Sequence, residues 1–317
     1  MEEVFFVKDL IIIGAGPAGM TAALYALRAG RSVLVLEAAM YGGQVAVTPE
    51  VENYPAIKHI DGPTFAMNLY SQITDLGATV QFEDVTGIAD SGSAKTVITA
   101  TGKSFECRAL IIANGAKRRK LNIAGEAEFA GYGVSYCATC DGFFFKDKDV
   151  AVVGGGNTAL EDVIYLSSIC KTVHLIHRRD VFRGSQILVD QVLTLPNVTI
   201  HYDCVPTAIY GGDSGGHTVK SVALESTKKK DGSLQRLPIS AVFVAIGTIP
   251  DNTRFLPFVT LDEAGYIVAG EDCKTETPGL YVAGDTRQKH LRQIVTATAD
   301  GAVAATHAVQ QLVAEPI

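Results

Sequence analysis

The feature that most constrains the fold of this chain is a strand–glycine turn–helix–strand unit that occurs twice. The apolar run Asp9-Leu-Ile-Ile-Ile13 enters Gly14-Ala-Gly16-Pro17-Ala18-Gly19. A helical stretch from Met20 to Ala29 stops at Gly30, and Ser32-Val-Leu-Val-Leu36 forms a second strand closing on Glu37. The pattern returns as Asp149-Val-Ala-Val-Val153, Gly154-Gly-Gly156-Asn157-Thr158-Ala159, a helix to about Ser168, and the strand Thr172-Val-His-Leu-Ile176. Each copy reads as the start of a βαβ unit, which requires parallel strands and a right-handed crossover. The expectation is an α/β protein with two Rossmann-like nucleotide-binding domains, and 317 residues suit two domains of about 100–200 each.

Between the copies, residues 79–112 alternate short strand-like pieces with turn signals and suggest a β-meander; residues 198–243 do the same. In the second stretch the turns are Gly211-Gly-Asp-Ser-Gly-Gly216 and Asp231-Gly232. Lys228-Lys-Lys230 beside them reads as a solvated hairpin tip.

In such a unit the first glycine permits a tight turn, the second lets backbone approach a pyrophosphate, and the third lets helix pack on strand. The phosphates then meet the helix N-terminus, where unpaired N–H groups and the dipole favour anions. Gly14 and Glu37 are 23 residues apart, as are Gly154 and His177, so Glu37 and His177 occupy equivalent positions. Glu37 can accept hydrogen bonds from a ribose diol and would repel a 2′-phosphate. His177, Arg178, Arg179 and, one turn on, Arg183 offer cationic donors suited to that phosphate. The first site is thus expected to hold the adenosine of FAD or NAD, and the second NADPH.

Cys137-Ala-Thr-Cys140-Asp141-Gly142 lies between the two units. A Cys-x-x-Cys pair is either redox-active or half of a zinc site, and zinc needs two more ligands of matching spacing, which the sequence lacks. In the superficially ligand-like Cys170, His174 and His177, the odd separation of the histidines along a strand points them to opposite faces, and no metal is expected. Cys107, Cys204 and Cys273 read as small apolar fillers. Asp141 can shuttle a proton between thiol and thiolate, or it can simply serve an Asp-Gly turn. Phe143-Phe144-Phe145 reads as core more readily than as docking surface. A formal charge of −7 argues against a nucleic-acid binder. No apolar run reaches a membrane span, and the opening Met-Glu-Glu lacks a signal peptide's positive region. A cytoplasmic protein is expected.

Taken in order, Gly14-x-Gly16-x-x-Gly19, Gly42-Gly43-Gln44, Glu52-Asn53-Tyr-Pro55, Ser135-Tyr-Cys-Ala-Thr-Cys-Asp-Gly142, Gly154-Gly-Gly-Asn-Thr-Ala159, His177-Arg-Arg-Asp180, Gly279-Leu-Tyr-Val-Ala-Gly284-Asp285 and Leu291-Arg292-Gln293 resemble the low-molecular-weight, bacterial-type thioredoxin reductases over nearly the whole chain. The resemblance implies a discontinuous FAD-binding domain (1–117 and 248–317) with an NADPH-binding domain (118–247) inserted into it, and a homodimer. It implies that Glu37 holds the adenosine ribose of FAD and that Gly43, Gln44 and Asn53 lie toward the flavin. Gly284 and Asp285 would take the ribityl–pyrophosphate region, while Arg292 and Gln293 close on the cofactor. Cys140 would face the flavin and Cys137 attack a thioredoxin disulfide, with Asp141 as acid/base and Phe143 and Phe144 touching the partner. Because thiols and nicotinamide share one domain, a rotation about residues near 115–117 and 245–247 is expected. Asn114, where the family more often has Thr, and the extra residue in Ile249-Pro-Asp251-Asn252 depart from the pattern. Two other readings share the motifs: a flavin-dependent dithiol oxidase, and a reductase of a glutaredoxin-like redoxin.

Overall fold

The computed structural model describes residues 7–48, 50–92, 94–212, 218–228 and 234–314, and the chain divides into two compact units. Unit 1 is built from residues 1–117 and 249–317, unit 2 from residues 118–248.

Unit 1 starts with β1 (Lys8–Ile13), α1 (Pro17–Arg28) and β2 (Val33–Glu37). Leu10, Ile11, Ile12 and Ile13 are buried on both faces of the sheet. Such a continuous apolar run, without alternation, marks a central parallel strand. Helix α2 (Gly62–Asp75) follows, N-capped by Asp61, whose carboxylate accepts the Thr64 N–H at 2.8 Å. Next come β3 (Thr79–Phe82), β4 (Val85–Asp90), β5 (Lys95–Thr99) and β6 (Ser104–Ile112). The expected meander is only partly present. Strands β4, β5 and β6 are antiparallel, but β3 joins the parallel sheet beside β2, giving the order β3-β2-β1-β6-β5-β4. The long strand β6 serves both patterns, because its Leu110–Ile112 end runs parallel to β1 in register with Ile11–Ile13.

After β7 (Ala116–Arg118), unit 2 carries β8 (Val134–Ser135), the single turn α3 (Ala138–Asp141), β9 (Asp149–Gly154), α4 (Asn157–Ser167), β10 (Thr172–Ile176), α5 (Gln186–Leu193) and β11 (Val198–His201). A three-stranded antiparallel sheet follows, β12 (Cys204–Gly211), β13 (Val219–Ser226) and β14 (Leu234–Pro238), and then β15 (Ala241–Ala245). Again the meander is shorter than expected, since β11 and β15 belong to the parallel sheet β11-β10-β9-β15-β8. The all-buried run Ala-Val-Phe-Val-Ala of β15 is the signature of such an inner strand. The turns expected at 213–216 and 231–232, with Lys229 and Lys230, lie outside the described residues. Lys228 is ion-paired to Asp180 at 3.0 Å and Asp203 at 2.8 Å.

The chain re-enters unit 1 through β16 (Thr248–Pro250), then adds β17 (Leu280–Val282) parallel to the end of β6, and α6 (Ile294–Ala314). Helix α6 lies close on α1 through Ala18, Ala22 and Ala26 on one side and Gly301, Ala304, Ala305 and Ala308 on the other. A Cβ at Gly301 would run into the Ala18 carbonyl, so only glycine permits this approach. Beside it, Asp300 is 6% exposed. It takes two bonds from Arg287 (3.0 and 3.2 Å), one from Lys289 (2.7 Å) and one from the Gly284 backbone N–H (3.0 Å). Burial on its own would raise the Asp300 carboxyl, but the hydrogen bonds and charges of Arg287 and Lys289 hold it below the ordinary carboxylate value.

Asp300→Ala strands two buried cations and is expected to cost about 3–5 kcal/mol, read as a lower urea midpoint. A lowered folded-state pKa gives stability that is complete above the unfolded value of about 3.9 and is lost as pH falls through the folded one. The gap between wild type and variant should therefore narrow only in acid.

Candidate active site

In unit 1 the glycine turn is fixed by backbone crowding. Gly14 has φ +104°, and a Cβ there would strike the Ala113 carbonyl; one at Gly19 would strike the Gly14 carbonyl. A Cβ at Gly16 would meet nothing within 4 Å, so the space in front of the turn is open. Gly16 caps α1 without a side-chain hydrogen bond, and Pro17 follows, leaving the first-turn N–H groups without a capping side chain. Glu37 is oriented by the turn itself: its carboxylate accepts from the Ala15 N–H at 2.7 Å and the Ala39 N–H at 3.1 Å.

Segments far apart in sequence converge on this turn. Gly43 comes within 3.4 Å of Gly16 Cα, measured from the position of its missing Cβ, and Gly284 within 2.8 Å of the Ala18 Cβ on the same measure. Asn53 Nδ2 donates to Gln293 Oε1 at 3.1 Å across 240 residues. Arg292 donates through Nε to the Asp285 carbonyl at 3.3 Å and lies 3.9 Å over the Tyr266 ring. Gln44 Nε2 donates to the Ala116 carbonyl at 2.6 Å. The two departures from the family pattern meet each other here: Asn114 Nδ2 donates to the Asp251 carbonyl (3.1 Å) and to Asn252 Oδ1 (3.3 Å). Asn252 is 1% exposed and also bonds the Gly265 and Thr286 carbonyls and the Thr286 hydroxyl. The inserted residue therefore leaves the loop anchored rather than loose. Asn114 Oδ1 is buried without a hydrogen-bond partner.

In unit 2 the second turn repeats the design. Gly156 caps α4 with no side-chain bond and open space in front, and Thr158 is exposed on the first turn. Asn157 Oδ1 accepts the Ser185 N–H at 2.7 Å, and the Arg183 N–H donates to the Gly155 carbonyl at 2.8 Å, so residues 178–185 fold back over the turn. Arg178, Arg179 and Arg183 are exposed. His177 differs from expectation. Its ring is 5% exposed, with Nδ1 3.0 Å from the Gly154 carbonyl and Nε2 3.0 Å from the Val181 carbonyl, and it lies tilted against the Phe182 ring, centroids 5.0 Å apart. Both nitrogens face carbonyls of the protein, so His177 shapes the loop that carries the arginines instead of presenting a donor beside them. His174 is likewise engaged, 3.1 Å from His201 across β10 and β11.

Cys137 and Cys140 form a disulfide around α3, with Cα atoms 5.3 Å apart. The other thiols are set apart from this chemistry. Burial pushes Cys107 and Cys273 up to about 12 and Cys170 to about 11, and it raises Cys204 as well, so none of them supplies a thiolate near neutrality. Phe145 packs edge-on against Phe243 inside the unit, whereas Phe143 and Phe144 are 63% and 39% exposed. The triplet is thus one core residue and two surface ones. Asp141 is bonded to the buried Ser135 hydroxyl at 2.5 Å. Tyr136 donates to the buried Glu126 at 2.9 Å, and Glu126 also accepts the Leu121 and Asn122 N–H groups. Sequence reasoning assigned no role to Ser135 or Glu126. The one available signal was the placement of Ser135 two residues ahead of the first thiol.

Residues 8–301 match the pyridine nucleotide-disulphide oxidoreductase family, and the chain belongs to it. It is 45% identical over 302 residues to a thioredoxin reductase of Listeria innocua, a match covering 95% of this chain and 93% of that protein. The crystal structure of a Streptococcus pyogenes thioredoxin reductase superimposes with a TM-score of 0.91 at 39% identity, covering 98% of this chain and 99% of that one. The Giardia duodenalis thioredoxin reductase gives 0.91 at 35% identity, with 97% and 99% covered. Within the family the chain stands among the thioredoxin reductases.

Asn252→Ala strips several buried groups of their partner at once. It is expected to cost about 1–3 kcal/mol in urea unfolding, whereas Phe143→Ala, on the surface, should leave the midpoint within about 0.5 kcal/mol of wild type.

Proposed function

We propose that this chain is an NADPH-dependent thioredoxin-disulfide reductase. The observation that carries the reading is the Cys137–Cys140 disulfide in the same chain as two open, uncapped glycine turns whose ribose positions differ in charge. FAD fits the unit 1 turn. Its pyrophosphate would take the first-turn N–H groups of α1, and Glu37, already aimed by the Ala15 N–H, would take the adenosine ribose. The orphaned Asn114 Oδ1 beside Gly14 offers an acceptor for a donor on the bound group. Gly43, Gln44, Asn53, Gly284, Asp285, Arg292 and Gln293 complete that cradle. NADPH fits the unit 2 turn, at Gly156, Asn157 and Thr158, with Arg178, Arg179 and Arg183 available to a 2′-phosphate and His177 holding their loop in place.

A bound flavin supplies two-electron chemistry between a nicotinamide and a disulfide. The chain's own residues then place and proton-balance the thiols. Cys137 attacks the partner disulfide, Cys140 resolves the mixed disulfide, and Asp141 gives and takes the proton. Phe143 and Phe144 offer an apolar contact to thioredoxin. The same reading makes the protein a cytoplasmic homodimer with FAD in residues 1–117 and 248–317 and NADPH in 118–247. The exposed arginines favour it over an oxidase that needs no NADPH.

Oxidation of NADPH by the purified protein should depend on added oxidised thioredoxin. Cys137→Ser should abolish that turnover while flavin reduction by NADPH persists. Arg178→Ala combined with Arg179→Ala should raise the KM for NADPH at least about tenfold and leave that for NADH nearly unchanged. Equal effects on both coenzymes would remove the 2′-phosphate assignment.

A further inference from the structure

The turn that carries the disulfide is wired through a side chain with no assigned role. Ser135 ends β8 and is 5% exposed. Its Oγ lies 2.5 Å from Asp141 Oδ2, 3.1 Å from the Cys137 N–H nitrogen and 3.3 Å from the Cys137 carbonyl oxygen. A serine hydroxyl has one proton to donate and two lone pairs to accept with. When Asp141 is a carboxylate, the hydroxyl donates to it and accepts from the Cys137 N–H. When Asp141 is protonated, the carboxylic O–H donates to Ser135 Oγ, and the serine proton can swing to the Cys137 carbonyl. That carbonyl also accepts the Asp141 N–H at 3.1 Å, so it has a donor in either state. Neither protonation state leaves one of these polar groups unpaired, and neither requires the backbone to move.

We propose that Ser135 is a positioning residue for Asp141, a hydroxyl rotor that keeps Asp141 and the Cys137 backbone hydrogen-bonded with or without the carboxyl proton. The inference rests on the reading of Asp141 as the acid/base. The step it serves is proton delivery. With a dithiol as reductant, its thiolate attacks one sulfur of the Cys137–Cys140 bond, forms a mixed disulfide and releases the other sulfur as an anion. The reagent's second thiol then closes its own disulfide and releases the remaining sulfur as a second anion. One of these anions takes the proton of Asp141, and Asp141 regains a proton from solvent. The titratable groups on the adjoining segments are Tyr136, bonded to Glu126, and Glu161, Asp162 and Tyr165 of α4, the helix that packs against α3. Ser135 bonds both to Asp141 and to the backbone of the first thiol.

The test compares the wild-type holoprotein with Ser135→Ala and Ser135→Thr. Reduction of the Cys137–Cys140 disulfide by dithiothreitol, corrected for the reagent's thiolate fraction, is followed against pH, and thioredoxin turnover is measured in parallel. Ser135→Ala is expected to slow reduction at least about tenfold near neutrality. It should also move the alkaline limb upward by about one pH unit, because a donor to the carboxylate is lost. Ser135→Thr, which keeps the rotor, should restore both. An alanine variant with unchanged rate and midpoint, or a folded threonine variant as impaired as alanine, overturns the proposal. Should Ser135→Ala fail to fold alone, the comparison is made in an Asp141→Asn background, where Ser135→Thr should change nothing further; a further tenfold loss there also overturns it. Wild-type protein that ignores thioredoxin while its dithiothreitol profile still depends on Ser135 removes the reductase reading and leaves the rotor standing.

Discussion

Unit 1 is organised by approaches that no side chain could survive. Gly19 lets α1 descend onto the turn at Gly14, Gly14 lets that turn pass under the end of β6, and Gly301 lets α6 rest against the backbone of α1. Each removes a Cβ that would otherwise meet a carbonyl oxygen, so the packing of strand, turn and two helices is set by backbone on backbone. Once α6 is that close, Asp300 falls beside the Gly284 N–H, and Arg287 and Lys289 are drawn in to neutralise it. The turn at 284–285 is therefore held by a buried charge cluster whose position follows from one glycine on the neighbouring helix.

The duplicated units solve the same problem with opposite polarity. Glu37 and His177 occupy equivalent positions, and each reaches back to its own glycine turn. The carboxylate accepts a backbone N–H of the loop, and the imidazole approaches a backbone carbonyl of the loop. The second-strand end thus does two jobs, steadying the turn and setting the charge next to it. In unit 1 one residue does both. In unit 2 they are divided, with His177 buried in the loop and Arg178, Arg179 and Arg183 left at the surface.

The sequence made the two βαβ starts legible to within about a residue or two, because apolar runs, glycine turns and strand ends are local signals. It misjudged β3, β11 and β15, whose short runs look alike whether the partner strand is parallel or antiparallel; only the sheet order decides. The family-linked residues of the first cradle were readable as motifs, but not the Asn53–Gln293 bond, which joins positions 240 apart. The loop contacts of His177 were hidden for a related reason: residue type announces what a side chain can donate, while burial decides to whom. Ser135 stayed silent because a serine near a thiol pair is unremarkable until its hydroxyl is seen between Asp141 and the Cys137 backbone.

The Asn114–Asn252 node carries a consequence for how this chain can be recombined. The two asparagines lie in different sequence segments of unit 1, separated by the whole of unit 2, yet one amide donates directly to the other. The Asn114 amide thus ties the end of the first segment both to the backbone of the Pro-Asp-Asn loop and to the Asn252 side chain. A chimera that takes the two segments from different relatives has to keep both bonds, because the amide and its acceptors lie on opposite sides of the inserted unit in sequence. Domain shuffling in this scaffold has to treat residues near 114 and 250 as one inherited module, although Asn114 and Asp251 stand 137 positions apart in the chain.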